Sequence, residues 1–261
     1  MKGEQLFICG LSIDWNGIDE DSYLRNIPAI AGISELEFSS PVTFLVGENG
    51  TGKSTLLEAM AVAYGFNAEG GTRNYNFSTY DSHSKLSESL RLSKGFRRPA
   101  AGYFLRAESF YNVASAEEEY SRYGGIPLHL HEMSHGESFL RTAQNYFRDG
   151  GIYFMDEPEA ALSPQRQMTM LLEISRCAKH GAQFIIATHS PIIMAVPDCE
   201  ILSFDGGRIH PVVYEDTDSY KITRMFINDR SRIMYELLSG EEEEETENWR
   251  QETGEIDRGP Y

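Results

Sequence analysis

Gly47-Glu48-Asn49-Gly50-Thr51-Gly52-Lys53-Ser54-Thr55 decides the reading of this chain. The nine residues fit G-x-x-x-x-G-K-[ST], a loop that wraps a polyphosphate. An apolar run, Val42 to Val46, precedes it, and a helix-like stretch, Ser54 to Ala63, follows. That strand–loop–helix order is the context the motif needs. Its glycines let backbone N–H groups turn inward, and the helix N-terminus adds partial positive charge. Lys53 can reach the β- and γ-phosphates, and the Ser54 hydroxyl can ligate Mg²⁺.

The 261 residues suffice for one large α/β domain or two small ones, and 41 % apolar content fills a substantial core. No apolar run approaches the roughly eighteen residues of a membrane span. The first residues, Met1 to Gln5, lack a signal-peptide pattern. Cys9, Cys177 and Cys199 are odd in number and far apart, so neither a disulfide framework nor a zinc ribbon is expected, and a cytoplasmic location follows. The net charge of −17 argues against broad nonspecific attachment to nucleic acid. Two local departures stand out. Glu241 to Glu245 are consecutive, which marks residues 239–261 as an acidic tail expected to be disordered. Arg91, Lys94, Arg97 and Arg98 form the opposite feature, readable as a phosphate-backbone contact or as a solvated helix end.

Hydrophobic patterning organises the rest. Phe7 to Ile13 and Ser39 to Val46 read as strands. Residues 66 to 82 read as loop, and the leucines at 86, 90 and 92 suggest a short helix from Ser84 to Leu92. Tyr103 to Leu105 returns as a strand. Ser115 to Tyr123 reads as an acidic helix ended by Gly124-Gly125. Ser138 to Phe147 places Phe139, Ala143, Tyr146 and Phe147 on one helical face. Ile152 to Met155 and Phe184 to Ala187 are short continuous apolar runs, as in strands of a parallel sheet buried on both faces. Between them Ser163-Pro164 opens a helix that Gly181 ends. Tyr220 to Leu238 reads as one or two amphipathic helices expected to dock on the core.

Three further motifs carry chemistry. Asp156 and Glu157 end an apolar strand, where Asp156 can hold Mg²⁺ and Glu157 can polarise an attacking water. Thr188-His189-Ser190 ends the next strand, placing His189 to hydrogen-bond a γ-phosphate or to serve as an ordinary structural histidine. Met133-Ser134-His135-Gly136-Glu137 starts the Phe139 helix. Ser134 and Gly136 can form an anion site there, and Ser134 with Glu137 also reads as a capping box; the two readings are compatible. His129, His131 and His135 have spacing that suits a metal, but no cysteine or third carboxylate accompanies them, and a polar loop is the simpler reading.

In this order the motifs resemble the ABC-class ATPases, and more narrowly the small bacterial AAA-type, ABC-like ATPases. Gly47 to Thr55 matches Walker A, Met133 to Glu137 the signature commonly written LSGGQ, and Asp156 with Glu157 Walker B and the catalytic glutamate. Ala161-Leu162-Ser163 falls at the D-loop and His189 at the switch histidine. Ser134 precedes Asp156 by 22 residues, and Asp156 precedes His189 by 33. Gly102 to Phe110 and Asp156 to Pro164 are typical of the narrower group. The resemblance covers about residues 40 to 205. It implies a P-loop α/β fold of ABC type: a mainly parallel core sheet flanked by helices, an N-terminal antiparallel β part, and a helical subdomain at about 74–148. These would sit in a single domain spanning 1–238.

It also implies ATP and Mg²⁺ as ligands, with Gly47, Glu48, Asn49, Gly50, Thr51, Gly52, Lys53, Ser54 and Thr55 around the phosphates. Ser54 and Asp156 would hold the metal, and Lys53, Glu157 and His189 would act in hydrolysis. Ser134 and Gly136 would contact the nucleotide of a second protomer in an ATP-dependent head-to-tail homodimer. The signature departs from the common pattern at His135 and Glu137. No glutamine occurs between Lys53 and Ser134. Glu108 is the positional substitute, either a third metal ligand or an ion-pair partner of Arg106. Trp15 and Tyr23 are the candidate adenine-stacking aromatics. What the ATP cycle drives stays open: a regulatory, genome-maintenance or defence process with a protein or nucleic-acid partner and no membrane insertion, or the nucleotide-binding subunit of a transporter.

Overall fold

The computed structural model describes residues 6–73, 85–110 and 133–239. The expected helix at Ser115 to Tyr123, its Gly124-Gly125 stop, His129, His131, residues 240–261 of the acidic tail, and residues 74–84 and 111–132 of the proposed helical subdomain lie outside those residues. The chain divides into two compact units, residues 1–217 and 218–261.

The first unit is built on two sheets. Strands β1 (Ile8–Ile13), β2 (Glu35–Glu37) and β4 (Leu90–Lys94) form an antiparallel sheet in the order β2-β1-β4. Strands β3 (Val42–Val46), β5 (Gly102–Arg106), β6 (Ile152–Asp156), β7 (Gln183–Ala187), β8 (Glu200–Ser203) and β9 (His210–Pro211) form the second, in the order β5-β6-β7-β3-β8-β9. Its first five strands are parallel and β9 is antiparallel to β8. This is the expected mainly parallel α/β core with an antiparallel N-terminal part.

The apolar runs explain the order. Every residue of β3, β6 and β7 is buried, because helices cover one face and the antiparallel sheet with its helix covers the other. Alternation within β3 divides the core. Val42, Phe44 and Val46 face one cluster, with Phe139, Phe147 and Ile174, while Leu45 faces the other, with Leu56, Leu57 and Met60. Each fully buried leucine contributes roughly 2 kcal/mol.

Helix α2 (Lys53–Tyr64) follows the phosphate loop directly, and Gly65 ends it in a left-handed cap. Helix α4 (His135–Tyr146) buries Phe139 and Ala143, with Phe147 just past its end, as the spacing predicts. Helix α5 (Pro164–Lys179) starts after Ser163, and Gly181 (φ 83°) follows its cap. Two further helices are short, α1 (Pro28–Ala31) and α3 (Leu86–Ser89).

One sequence expectation is corrected here. The helix expected through Leu92 stops at Ser89, and Leu90 to Lys94 pair with β1 instead. Leu86 and Leu90 suit either a helical turn or a turn–strand junction, and the free edge of β1 decides between them.

Gln183, at the start of β7, joins the two sheets. Its Oε1 accepts from the N–H groups of Phe7 (2.8 Å) and Ile8 (2.9 Å), and its Nε2 donates to the Ile8 carbonyl (2.8 Å). Cys9, Cys177 and Cys199 form no disulfide with one another.

In the second unit α6 (Asp218–Asn228) carries Ile222, Met225 and Phe226, and residues 230–239 are helical after a turn at Asp229. Arg232 ties that junction to Asp229 (2.6 Å) and Glu236 (3.2 Å). Among the described residues no helix is long and apolar enough to cross a membrane.

Candidate functional site

The loop between β3 and α2 takes the shape its glycines permit. Gly47, Gly50 and Gly52 have φ of 135°, 80° and 99°, a region costly for other residues. Glu48, Asn49 and Gly50 are exposed at its tip, with Thr51 and Thr55 half-buried. Lys53 is buried at its base, and Nζ donates to the carbonyls of Gly47 and Glu48, both at 2.7 Å. Burial pushes the Lys53 ammonium below its ordinary pKa, while the carboxylates of Glu157, Asp205, Asp156 and Glu159 pull it back.

Strand β6 brings Asp156 to the same point. The Ser54 hydroxyl donates to Asp156 Oδ1 at 2.8 Å, across 102 residues of sequence. Burial raises the Asp156 carboxyl to about 6, against the opposing effects of Ser54 and Arg106. Parallel pairing of β5 with β6 sets Arg106 opposite Asp156. Its Nε lies 3.5 Å from Asp156 Oδ2, and its Nη1 holds Glu58 (2.7 Å) and the Ala68 carbonyl (3.0 Å). Glu108, largely exposed, lies 3.6 Å from Arg106 Nη2, so it keeps the ion-pair geometry and still borders the site. Ser54, Arg106, Glu108, His135, Asp156 and Glu157 line one cavity of about 320 Å³.

Glu157 sits in a left-handed conformation (φ 47°, ψ 51°), unusual for a residue other than glycine. Its N–H donates to the Ala187 carbonyl (3.0 Å), which turns the chain at the strand end before Pro158. Glu159 fixes the next strand. It accepts from Thr188 Oγ1 (2.7 Å) and from the His189 N–H. Among the described residues, none offers a hydrogen-bond partner to the buried His189 Nε2.

At the start of α4 the Glu137 carboxylate accepts from the Ser134 N–H (3.1 Å) and hydroxyl (2.8 Å) and pairs with Arg166 (3.0 Å). These contacts hold the Glu137 carboxyl below its usual range, the Ser134 hydroxyl foremost. Ser134 is exposed. Gly136 is buried, and a Cβ there would lie 2.7 Å from the Ala161 carbonyl oxygen, so glycine lets the helix start approach that backbone. The His135 ring packs edge-on to Phe110, with centroids 5.7 Å apart.

Trp15 is committed to packing, with its Nε1 donating to the Ile33 carbonyl (2.9 Å) and Arg25 over its ring. Tyr23 is exposed and begins the segment whose Ile27 and Ile30 press on Gly52.

Lys53, Ser54, Asp156, Glu157 and His189 thus lie at the C-terminal edge of the parallel strands, together with three residues that sequence reasoning did not assign. Arg106, read from the sequence only as an ion-pair partner of Glu108, is set against Asp156 by the β5–β6 register. Glu159 lies two residues past Glu157 but acts on the next strand. Asp205 accepts the Glu48 N–H at 2.9 Å and the Ser203 hydroxyl at 3.0 Å, and no pattern flags it.

The donor set suits Mg²⁺. Among the described residues no three His, Cys, Asp or Glu side chains converge into a self-sufficient metal site. One hydroxyl and one carboxylate beside a phosphate loop are what a metal that keeps waters and takes phosphate oxygens requires.

The chain is similar to several known families and proteins. A family model described as "AAA domain" matches residues 23–120. A second, described as "AAA domain, putative AbiEii toxin, Type IV TA system", matches residues 108–195. The ribose import ATP-binding protein RbsA of Bacillus cereus is 23 % identical over 211 residues, 70 % of this chain and 41 % of that protein. The chain thus spans well under half the length of that curated relative. Among solved structures, the SMC head domain of Thermotoga maritima aligns over 79 % of this chain and 99 % of its own (17 % identity, TM-score 0.43). CbiO1 of Clostridium perfringens, part of the ABC transporter complex cbiONQ, aligns over 90 % of this chain and 99 % of its own (14 % identity, TM-score 0.45).

Proposed function

We propose that this chain, which matches two AAA-domain family models and has ABC-class relatives, hydrolyses ATP at the site of Lys53, Ser54, Asp156 and Glu157. The observation that carries this is the 2.8 Å contact between Ser54 and Asp156 beside the Lys53 ammonium. The amides of the Gly47–Thr55 loop and Lys53 bind the β- and γ-phosphates. Ser54 and Asp156 hold Mg²⁺, which when bound neutralises charge on those phosphates. Glu157 orients a water and takes its proton as the water oxygen bonds to the γ-phosphorus and the bond to the bridging oxygen breaks. His189 Nε2 supplies a hydrogen bond to the γ-phosphate, and Glu159 positions it through the backbone. Glu108 extends the metal's outer surroundings, a role supported by its place at the cavity rim.

In this reading two protomers associate head to tail on ATP in the cytoplasm, with Ser134 and Gly136 of each facing the other's nucleotide. ATP closes the pair and hydrolysis releases it. The cycle serves a regulatory, genome-maintenance or defence process, in keeping with the toxin–antitoxin wording of the second family model. The similarity to RbsA favours a second reading, a transporter's nucleotide-binding subunit. The absence of a glutamine between Lys53 and Ser134 weighs against that reading.

Glu157→Gln tests the proposal. With Mg²⁺–ATP its turnover should fall on the order of 100-fold or more, and light scattering should show a persistent dimer. Wild-type turnover in the variant would remove Glu157 from the chemistry.

A further inference from the structure

Phe96 is fully exposed, whereas Phe7, Phe44 and Phe104 are buried. It sits on the link between β4 and β5, and this link is anchored at its base. The Gly95 N–H donates to the Phe7 carbonyl (3.0 Å), and a Cβ on Gly95 would lie 2.0 Å from the Leu6 carbonyl oxygen. The Ala100 N–H donates to the Gly150 carbonyl (3.0 Å). Lys94 lies over the Tyr64 ring (4.8 Å) and Arg97 over the Phe7 ring (5.7 Å). Phe96 is therefore held out into water by a fixed loop.

The charge around it runs against the rest of the chain. Net charge is −17, yet no carboxylate occurs between Glu88 and Glu108, and Arg91, Lys94, Arg97 and Arg98 do. Arg91 has Asp14 at 3.8 Å. Among the described residues Lys94, Arg97 and Arg98 pair with no carboxylate. The link adjoins the N-terminal edge of the parallel sheet, where the Gly150 N–H meets the His180 carbonyl (3.2 Å), at the far end of the strands from Asp156.

We propose that Phe96, with Lys94, Arg97 and Arg98, binds single-stranded nucleic acid, the ring stacking on an unpaired base while the cations contact flanking phosphates. A planar ring beside guanidinium groups that pair with no carboxylate among the described residues fits an exposed base and its backbone. Duplex hides its base faces. A lipid surface would gain roughly 2 kcal/mol from one phenyl ring, too little for stable anchoring. This partner bears on the process that the ATPase serves, and the surface stands apart from the nucleotide site.

Fluorescence anisotropy of the full-length protein with a labelled oligo-dT of about 20 nucleotides tests it, at about 50 mM salt, against a duplex of equal length. Wild type and Lys53→Ala should bind the single strand equally and in preference to duplex. Phe96→Ala should weaken binding about 10-fold. Joint Arg97→Gln and Arg98→Gln should lower the slope of log affinity against log salt by about 1.4. Because Phe96 is exposed, its loss leaves the fold intact, and an unchanged melting curve verifies this. No binding by wild type, equal affinity for duplex, an inert Phe96→Ala, or Phe96-dependent binding to phosphatidylserine vesicles or polyglutamate instead would each overturn the proposal. Loss of binding in Lys53→Ala alone would overturn its independence from the nucleotide site.

Discussion

Asp156 should make the metal-free protein less stable as pH rises from 4 to 7, relative to a variant without that charge. The carboxyl is 7 % exposed, and burial lifts it from 3.8 to about 6, more than Ser54 and Arg106 lower it. Between those two values the folded protein holds a proton that the unfolded chain has released. The stabilisation is thus fully present below pH 3.8 and is lost as pH rises through 6. A shift of about two units at ~1.4 kcal/mol each amounts to about 3 kcal/mol. The perturbation is Asp156→Asn, and the assay is urea unfolding in EDTA at a series of pH values. Asparagine changes the contact with Arg106, but that offset does not depend on pH. The stability of wild type minus that of the variant should therefore fall by about 3 kcal/mol across the window. Adding Mg²⁺ at pH 7 should recover stability in wild type and not in the variant. A difference that stays flat, or that rises with pH, would refute the claim that Asp156 is a desolvated anion kept for a cation.

Two other substitutions probe the scaffold. Gly136→Ala would drive a Cβ to 2.7 Å from the Ala161 carbonyl oxygen, a backbone atom that cannot give way, so a loss of about 1–3 kcal/mol should appear as a lower melting midpoint. An unchanged midpoint would show that the start of α4 is free of the Ala161 backbone. Gln183→Leu removes three buried hydrogen bonds between the sheets and should cost about 3–5 kcal/mol in urea unfolding, and a loss under about 1 kcal/mol would mean that the sheets hold together without it.

The fold was legible wherever burial on both faces leaves a mark. Val42 to Val46, Ile152 to Met155 and Phe184 to Ala187 are apolar without alternation, and each is a central strand. The phosphate loop was legible because its glycines, lysine and serine act within nine residues. Leu90 to Lys94 misled because leucines four apart suit a helix, and only the pairing with β1 makes them a strand. In the site, residues whose partners lie nearby in sequence, such as Ser134 and Glu137, could be paired in advance. Arg106 with Asp156, Glu159 with His189 and Asp205 with Glu48 could not, because each contact depends on strand order and register. Gln183 is the same case in the core.

Calorimetric titration with ATP, with and without Mg²⁺, addresses most directly whether Lys53 and Asp156 serve one magnesium–triphosphate. Lys53→Ala should lose affinity in both conditions. Asp156→Asn should match wild type without the metal and gain nothing when it is added. Two variants that bind as wild type does in both conditions would contradict the account.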